Sequence, residues 1–175
     1  MLNALRRTTR NVRHVQALYA ALTAAARQPV FFRAYGVADT VDGRFDMVAL
    51  HAWLALRWLK AAGRADLAQG LSDAIFVAFD EALRDLGNGD MGMGPRMKKL
   101  GNAFAGRLHV YEAAGDEAAL ADAILRNVYR GAADRQAAAA ALARYAQAAA
   151  GRLKACDPLG AALDFGPIPT TFSGP

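Results

Sequence analysis

Residues 85–100 read DLGNGDMGMGPRMKKL, and with Gly101 the stretch holds five glycines, three methionines and a short run of cations. Gly87 to Gly92 satisfies G-x-G-x-x-G, and Gly89 to Gly94 has the glycine spacing of a P-loop. Read as phosphate loops, either match would make this an α/β protein. The dinucleotide fingerprint, however, needs a strand before it so that the pyrophosphate meets a helix N-terminus at a sheet edge. Here a long helical pattern comes first, with Leu67, Leu71, Ile75, Phe79, Leu83 and Leu86 at helical spacing. The P-loop reading fails as well, because Pro95 and Arg96 stand where Lys and Ser or Thr are required. The glycines therefore connect two helices, with Gly87 as a C-cap and Pro95 at the first position of the next helix.

Outward from that loop the chain is helical. Helices are expected over about 11–27, 41–61, 65–86, 95–113, 116–130 and 132–154. A short turn at PVFFRAYGV (29–37) buries Phe31, Phe32 and Tyr35. Asp39 or Thr40 caps the second long helix, Asp116 caps a later one, and Gly131 stops it. No strand run and no internal repeat is visible. The 175 residues suit one domain with a real core, 54% of them are hydrophobic, and the apolar content is alanine-rich rather than β-branched. The expectation is an all-α, single-domain bundle of about six to seven helices over 1–155. A tail at 156–175, holding four of the six prolines, is expected to be extended or disordered.

The net charge of +5 is placed unevenly. Six arginines and no acid precede Asp39, so the first 38 residues carry +6 and the remainder −1. Arg6, Arg7, Arg10 and Arg13 are candidates to face an anionic membrane surface or ribosomal RNA. The helical period of Val12, Val15, Leu18, Tyr19 and Leu22 makes this segment part of the mature domain rather than a transit peptide. The longest apolar run, MVALHAWLAL (47–56), stops at Arg57 and is too short to span a bilayer. A single cysteine, Cys156, permits no internal disulfide, so the cytoplasm is the default compartment.

Catalytic and metal constellations are hard to assemble. His14, His51 and His109 are scattered. His109 and Glu112 lie one helical turn apart, but the Glu-x-x-His order and the further glutamates of a di-iron bundle are missing. His51, inside an apolar helix, reads as a hydrogen-bonded structural residue. Asp39, Asp42 and Asp46 surround Arg44, which suggests an ion pair at a helix start. No enzyme, no metal and no cofactor is expected. What stands out is Arg96, Lys98 and Lys99 in the first turn of the helix opened by Pro95, where cations oppose the macrodipole. Such a turn suits an anionic partner, or Asp90 folded back on it. Arg96, Lys99 and Arg107 then share a basic face opposite Met97, Leu100, Phe104, Leu108 and Tyr111. Met91 and Met93 offer adaptable apolar contacts, or tuck under the loop.

Three blocks carry a family resemblance: YGVADTVDGRFDMVALHAWLALRWL (35–59), IFVAFDEALRDLGNGDMGMGPRMKKLGNAFAGRLHVYEAAG (75–115) and LRNVYRG (125–131). With a core over about 30–131, the chain resembles the ubiquinol–cytochrome c chaperone family, bacterial counterparts of the mitochondrial assembly factor for cytochrome b of the bc1 complex. The resemblance implies an all-helical assembly chaperone whose client is newly synthesised cytochrome b. A second assembly factor, the ribosome and the inner face of the cytoplasmic membrane are its further implied surroundings. It marks Tyr35, Gly36, Asp39, Gly43, Arg44, His51, Asp90 and Gly92 as structural motif positions. Met91, Met93, Arg96, Lys98, Lys99 and Tyr111 become the candidates for client contact. The competing class is a basic helical protein that binds RNA, the ribosome or a membrane surface and has no cytochrome b client.

Overall fold

The computed structural model describes the backbone of residues 2–85, 90–159 and 163–170, with side chains from 11–85, 93–159 and 163–170. Among the described residues seven helices follow one another: α1 (Leu2–Ala26), α2 (Pro29–Arg33), α3 (Val41–Ala61), α4 (Ala65–Asp85), α5 (Asp90–Ala113), α6 (Glu117–Val128) and α7 (Gln136–Ala155). A single 3-10 turn at Ala133–Arg135 precedes α7. No strand occurs among the described residues.

α3 is the central strut. It packs against α1, α4, α5, α6 and α7, and its buried residues include Gly43, Asp46, Met47, Leu50, His51, Trp53, Leu54, Trp58 and Leu59. Such a helix, apolar around most of its circumference, is one that neighbours must cover on several sides. Its start is set locally. Thr40 Oγ1 accepts from the Gly43 amide at 3.2 Å, which satisfies one of the orphan N–H groups of the first turn. A Cβ on Gly43 would run into the Ala38 carbonyl oxygen, so only glycine lets the incoming chain cross this turn so closely. One turn earlier Gly36 has φ +64°, which reverses the chain after α2 so that the Val37 amide returns to the Phe31 carbonyl at 3.0 Å.

α1 begins at Leu2, well before the expected start near residue 11. Residues 2–10 contain no Pro or Gly and are rich in Leu, Ala and Arg, so nothing in them stops a helix. Asn11 Nδ2 donates to Asp66 Oδ2 at 3.1 Å, and a Cβ on Gly70 would touch Val15, so α1 runs alongside α4 in the same direction. Phe31 and Tyr35 are buried as expected, and Phe32 is half-buried.

α5 is where the expectation needs correction. The helix opens on Asp90, not Pro95, and the proline lies inside it. Within the first two turns a proline forfeits only one interior bond, here to the Met91 carbonyl, and the helix continues through it. Arg96, Lys98 and Lys99 are exposed and lie beyond the first turn, so they do not oppose the dipole there. Residues 86–89, including the expected cap Gly87, lie outside the described residues, as do the side chains of Asp90 and Met91 and the surroundings of Gly92.

The tail is irregular over 163–170, yet it is not a free strand in solvent. Leu163 and Phe165 are buried, and the Phe165 ring meets His51 edge-on at 4.9 Å. Gly166, at φ +78°, turns the chain beside the Arg152 side chain. The tail completes the core over α3 and α7.

Candidate functional site

Asp46 is fully buried on α3, and its carboxylate holds two arginines from two other parts of the chain. Arg107 Nε, on α5, lies 2.6 Å from Oδ1. Arg130 Nη2, just after α6, lies 2.8 Å from Oδ2. Burial pushes the Asp46 carboxyl above the ordinary aspartate range, and Arg107 and then Arg130 pull it back down. Arg107 also donates to the Ala103 carbonyl at 3.1 Å and stacks on Phe45 with its guanidinium carbon 4.8 Å from the ring centre. Arg130 has φ +57°, a left-handed position normally given to glycine at a helix end. The strain comes with a side chain that reaches Asp46 and ties the end of α6 to α3.

This centre corrects the sequence reading in two places. The three acids around Arg44 do not act together: Asp39 alone pairs with Arg44, at 2.7 Å on the surface, while Asp46 turns inward. Arg107 does not sit on the exposed basic face with Arg96 and Lys99, because Asp46 draws it under α5. A signal for this was available. Gly43, Asp46, Leu50 and Trp53 recur at helical spacing on the apolar side of α3, which places an aspartate in the core and requires a cation opposite it.

Above that centre lies a second buried polar group. His51 Nδ1 is 2.8 Å from the Met47 carbonyl, which can only accept, so Nδ1 carries the proton. Nε2 then accepts from the Tyr145 hydroxyl at 2.9 Å, joining α3 to α7. Burial holds the imidazole down at about 4, so it is neutral. Tyr129 donates to the Tyr35 carbonyl at 2.9 Å and fastens the Gly36 turn. Tyr35, Gly36, Asp39, Gly43, Arg44 and His51 thus lie at the start of α3 or in the contacts that hold it.

Further along α3, an apolar cleft of about 470 Å³ opens between α3 and α5, lined by Trp53, Leu56, Arg57, Lys60, Ala61, Leu108 and Glu112. Glu112 accepts from Trp53 Nε1 at 2.7 Å, and Arg57 lies over the Trp53 ring at 5.7 Å, so the indole is held in a fixed orientation. A second cleft of about 340 Å³ lies across Arg57 and Ala61, between α3 and α7, with Leu54, Trp58, Lys154 and Cys156 on its walls. The two clefts place apolar floors under the cations Arg57, Lys60 and Lys154.

Of the residues expected to make contacts, Arg96, Lys98 and Lys99 are exposed on α5 and Arg13 is exposed on α1. Tyr111 is fully buried against Trp53, with ring centres 5.7 Å apart, and its hydroxyl has no hydrogen-bond partner among the described residues. It is a core residue and presents no surface to a partner. Met93 is 7% exposed and takes the inward-tucked alternative. The side chains of Met91, Arg6, Arg7 and Arg10 lie outside the described residues. His109 is exposed, and no group of residues able to hold a metal occurs among the described residues. No helix among them is long and apolar enough to cross a membrane.

The fold and its clefts define an all-helical, single-domain protein with Arg57, Lys60 and Lys154 at the rims of apolar grooves. The chain belongs to the ubiquinol-cytochrome C chaperone family, whose model matches residues 33–159. It is similar over 94% of its length to the crystal structure of the Cbp3 homolog from Brucella abortus, with a TM-score of 0.81, 34% identity and 98% of that chain covered. No curated protein matches the sequence.

Proposed function

We propose that this protein is an assembly chaperone that binds newly synthesised cytochrome b and promotes its incorporation into the ubiquinol–cytochrome c reductase complex, without catalysing a reaction. The observation that carries the reading is the α3–α5 cleft, on a chain of the chaperone family. Its floor of Trp53, Leu56 and Leu108 suits apolar side chains from a membrane segment still outside the bilayer. Each Leu- or Phe-sized side chain buried there contributes about 1.5–3 kcal/mol, enough for a reversible hold when two or three engage. Arg57 and Lys60 at the rim suit the polar ends of such a segment. Arg96, Lys98 and Lys99, exposed on α5, offer a separate contact to client or lipid. The protein then works at the cytoplasmic face of the membrane, where the client is inserted, alongside the ribosome or a second assembly factor.

The alternative, a general RNA- or ribosome-binding helical protein, draws support from the +6 charge of the first 38 residues. Purifying the tagged protein from its own cells in mild detergent separates the two. Cytochrome b retained at moderate salt supports the chaperone reading. Ribosomal RNA that leaves as salt rises, with no cytochrome b, would favour the alternative.

A further inference from the structure

A third cleft, of about 260 Å³, lies at the other end of α3, where α1 ends and α3 begins. Arg27, Arg33 and Arg44 line it together with Asp39, Pro29 and the half-buried Phe32. The three arginines come from three places: the residue after α1, the last residue of α2 and the first turns of α3. Asp39 is the one acid of the lining, and Arg44 Nε takes its carboxylate at 2.7 Å. Arg27 and Arg33 have no ion pair among the described residues. α3 opens between Asp39 and Arg44, so the positive end of its dipole lies beside the same space. Three guanidiniums against one carboxylate make a site for an anion, and the fork geometry of arginine suits phosphate oxygens.

We propose that this cleft binds the headgroup phosphate of an anionic phospholipid and so docks the bundle on the membrane. The apolar surroundings select lipid over soluble phosphate. Phe32 and Pro29 form part of the wall, and Val41, 67% exposed, stands one helical turn before Arg44 and so on the same side of α3. Cations interleaved with an exposed aliphatic and an aromatic are the pattern of an interfacial contact. This places the membrane contact at the C-terminal end of α1, about 30 Å along that helix from the Arg6–Arg10 cluster. The proposal rests on the reading of the protein as one that acts at the membrane.

Flotation of the full chain with vesicles of phosphatidylcholine, with and without phosphatidylglycerol, tests it in the absence of any client. Failure here is therefore distinct from failure to retain cytochrome b. Binding is expected only with phosphatidylglycerol, and Arg27→Gln with Arg33→Gln is expected to weaken it by about thirtyfold, since each surface arginine supplies roughly five- to sixfold. Asp39→Asn, which leaves Arg44 without its acid, is expected to tighten it severalfold, a gain that a merely structural role for the pair would not give. Both sets of positions are exposed, and circular dichroism melts report whether the fold is kept. Unchanged flotation of the double variant would overturn the proposal, as would loss of flotation only when Arg6, Arg7 and Arg10 are replaced. Displacement from vesicles by millimolar glycerol 1-phosphate would overturn it too, by making soluble phosphate the ligand.

Discussion

His51 enters the core with both ring nitrogens committed, one to Met47 and one to Tyr145, and its pKa of about 4 ties stability to pH. The unfolded imidazole titrates near 6.5, so below that pH the unfolded chain takes up a proton that the folded chain refuses. The stabilisation is therefore complete above about 6.5 and is lost as pH falls toward 4, a change of about 3 kcal/mol. Urea denaturation from neutral pH to pH 4 is expected to show this slope, and His51→Gln is expected to flatten it whatever its effect on stability at neutral pH. Asp46 gives a second test. Asp46→Ala leaves two arginines facing an apolar core and is expected to cost about 3–5 kcal/mol. Arg130→Ala should cost less, because half of that side chain stays in water and the left-handed backbone strain remains. The urea midpoints of the two variants check the order. The burial of His51 was legible because it sits within an apolar helical run. The partners of Asp46 were not, since Arg107 and Arg130 lie 61 and 84 residues away and no local spacing links them to it.

Element boundaries follow cap chemistry where a side chain supplies it. Thr40 accepts from Gly43, and Asp116 Oδ1 accepts from the Ala119 amide at 2.8 Å, so α3 and α6 begin where a polar cap precedes the apolar period. Thr40→Ala and Asp116→Ala are each expected to cost about 1 kcal/mol. Because the two sites are far apart in the fold, the double variant should show the sum, measured by chemical denaturation. α5 opens five residues before Pro95 for the opposite reason. Pro95 is compatible with a helix start and with an early interior position alike, and with Asn88, Gly89 and Asp90 also of cap-forming type the sequence does not decide between them. The tail posed a similar problem. Its prolines argue against a helix, but nothing local reveals that Leu163 and Phe165 close the core over His51.

At the scale of the molecule, the helical period and the failed phosphate-loop context already determined the bundle, while the clefts depend on how α5 and α7 cross α3. Sequence periodicity shows which face of a helix is apolar, not where two helices diverge enough to leave a groove. That is why Trp53, Leu56 and Leu108 were legible only as core. Leu108, half-buried at the cleft, distinguishes binding from folding. Leu108→Glu is expected to remove cytochrome b from the purified protein while shifting the melting temperature by only a few degrees. The most direct measurement is photocrosslinking in the protein's own cells, with a photoreactive residue at position 108 on the cleft and, in a second strain, at exposed Val77 on α4. The account expects an adduct with cytochrome b from position 108 and none from position 77. No adduct from the cleft, or equal adducts from both positions, would contradict it.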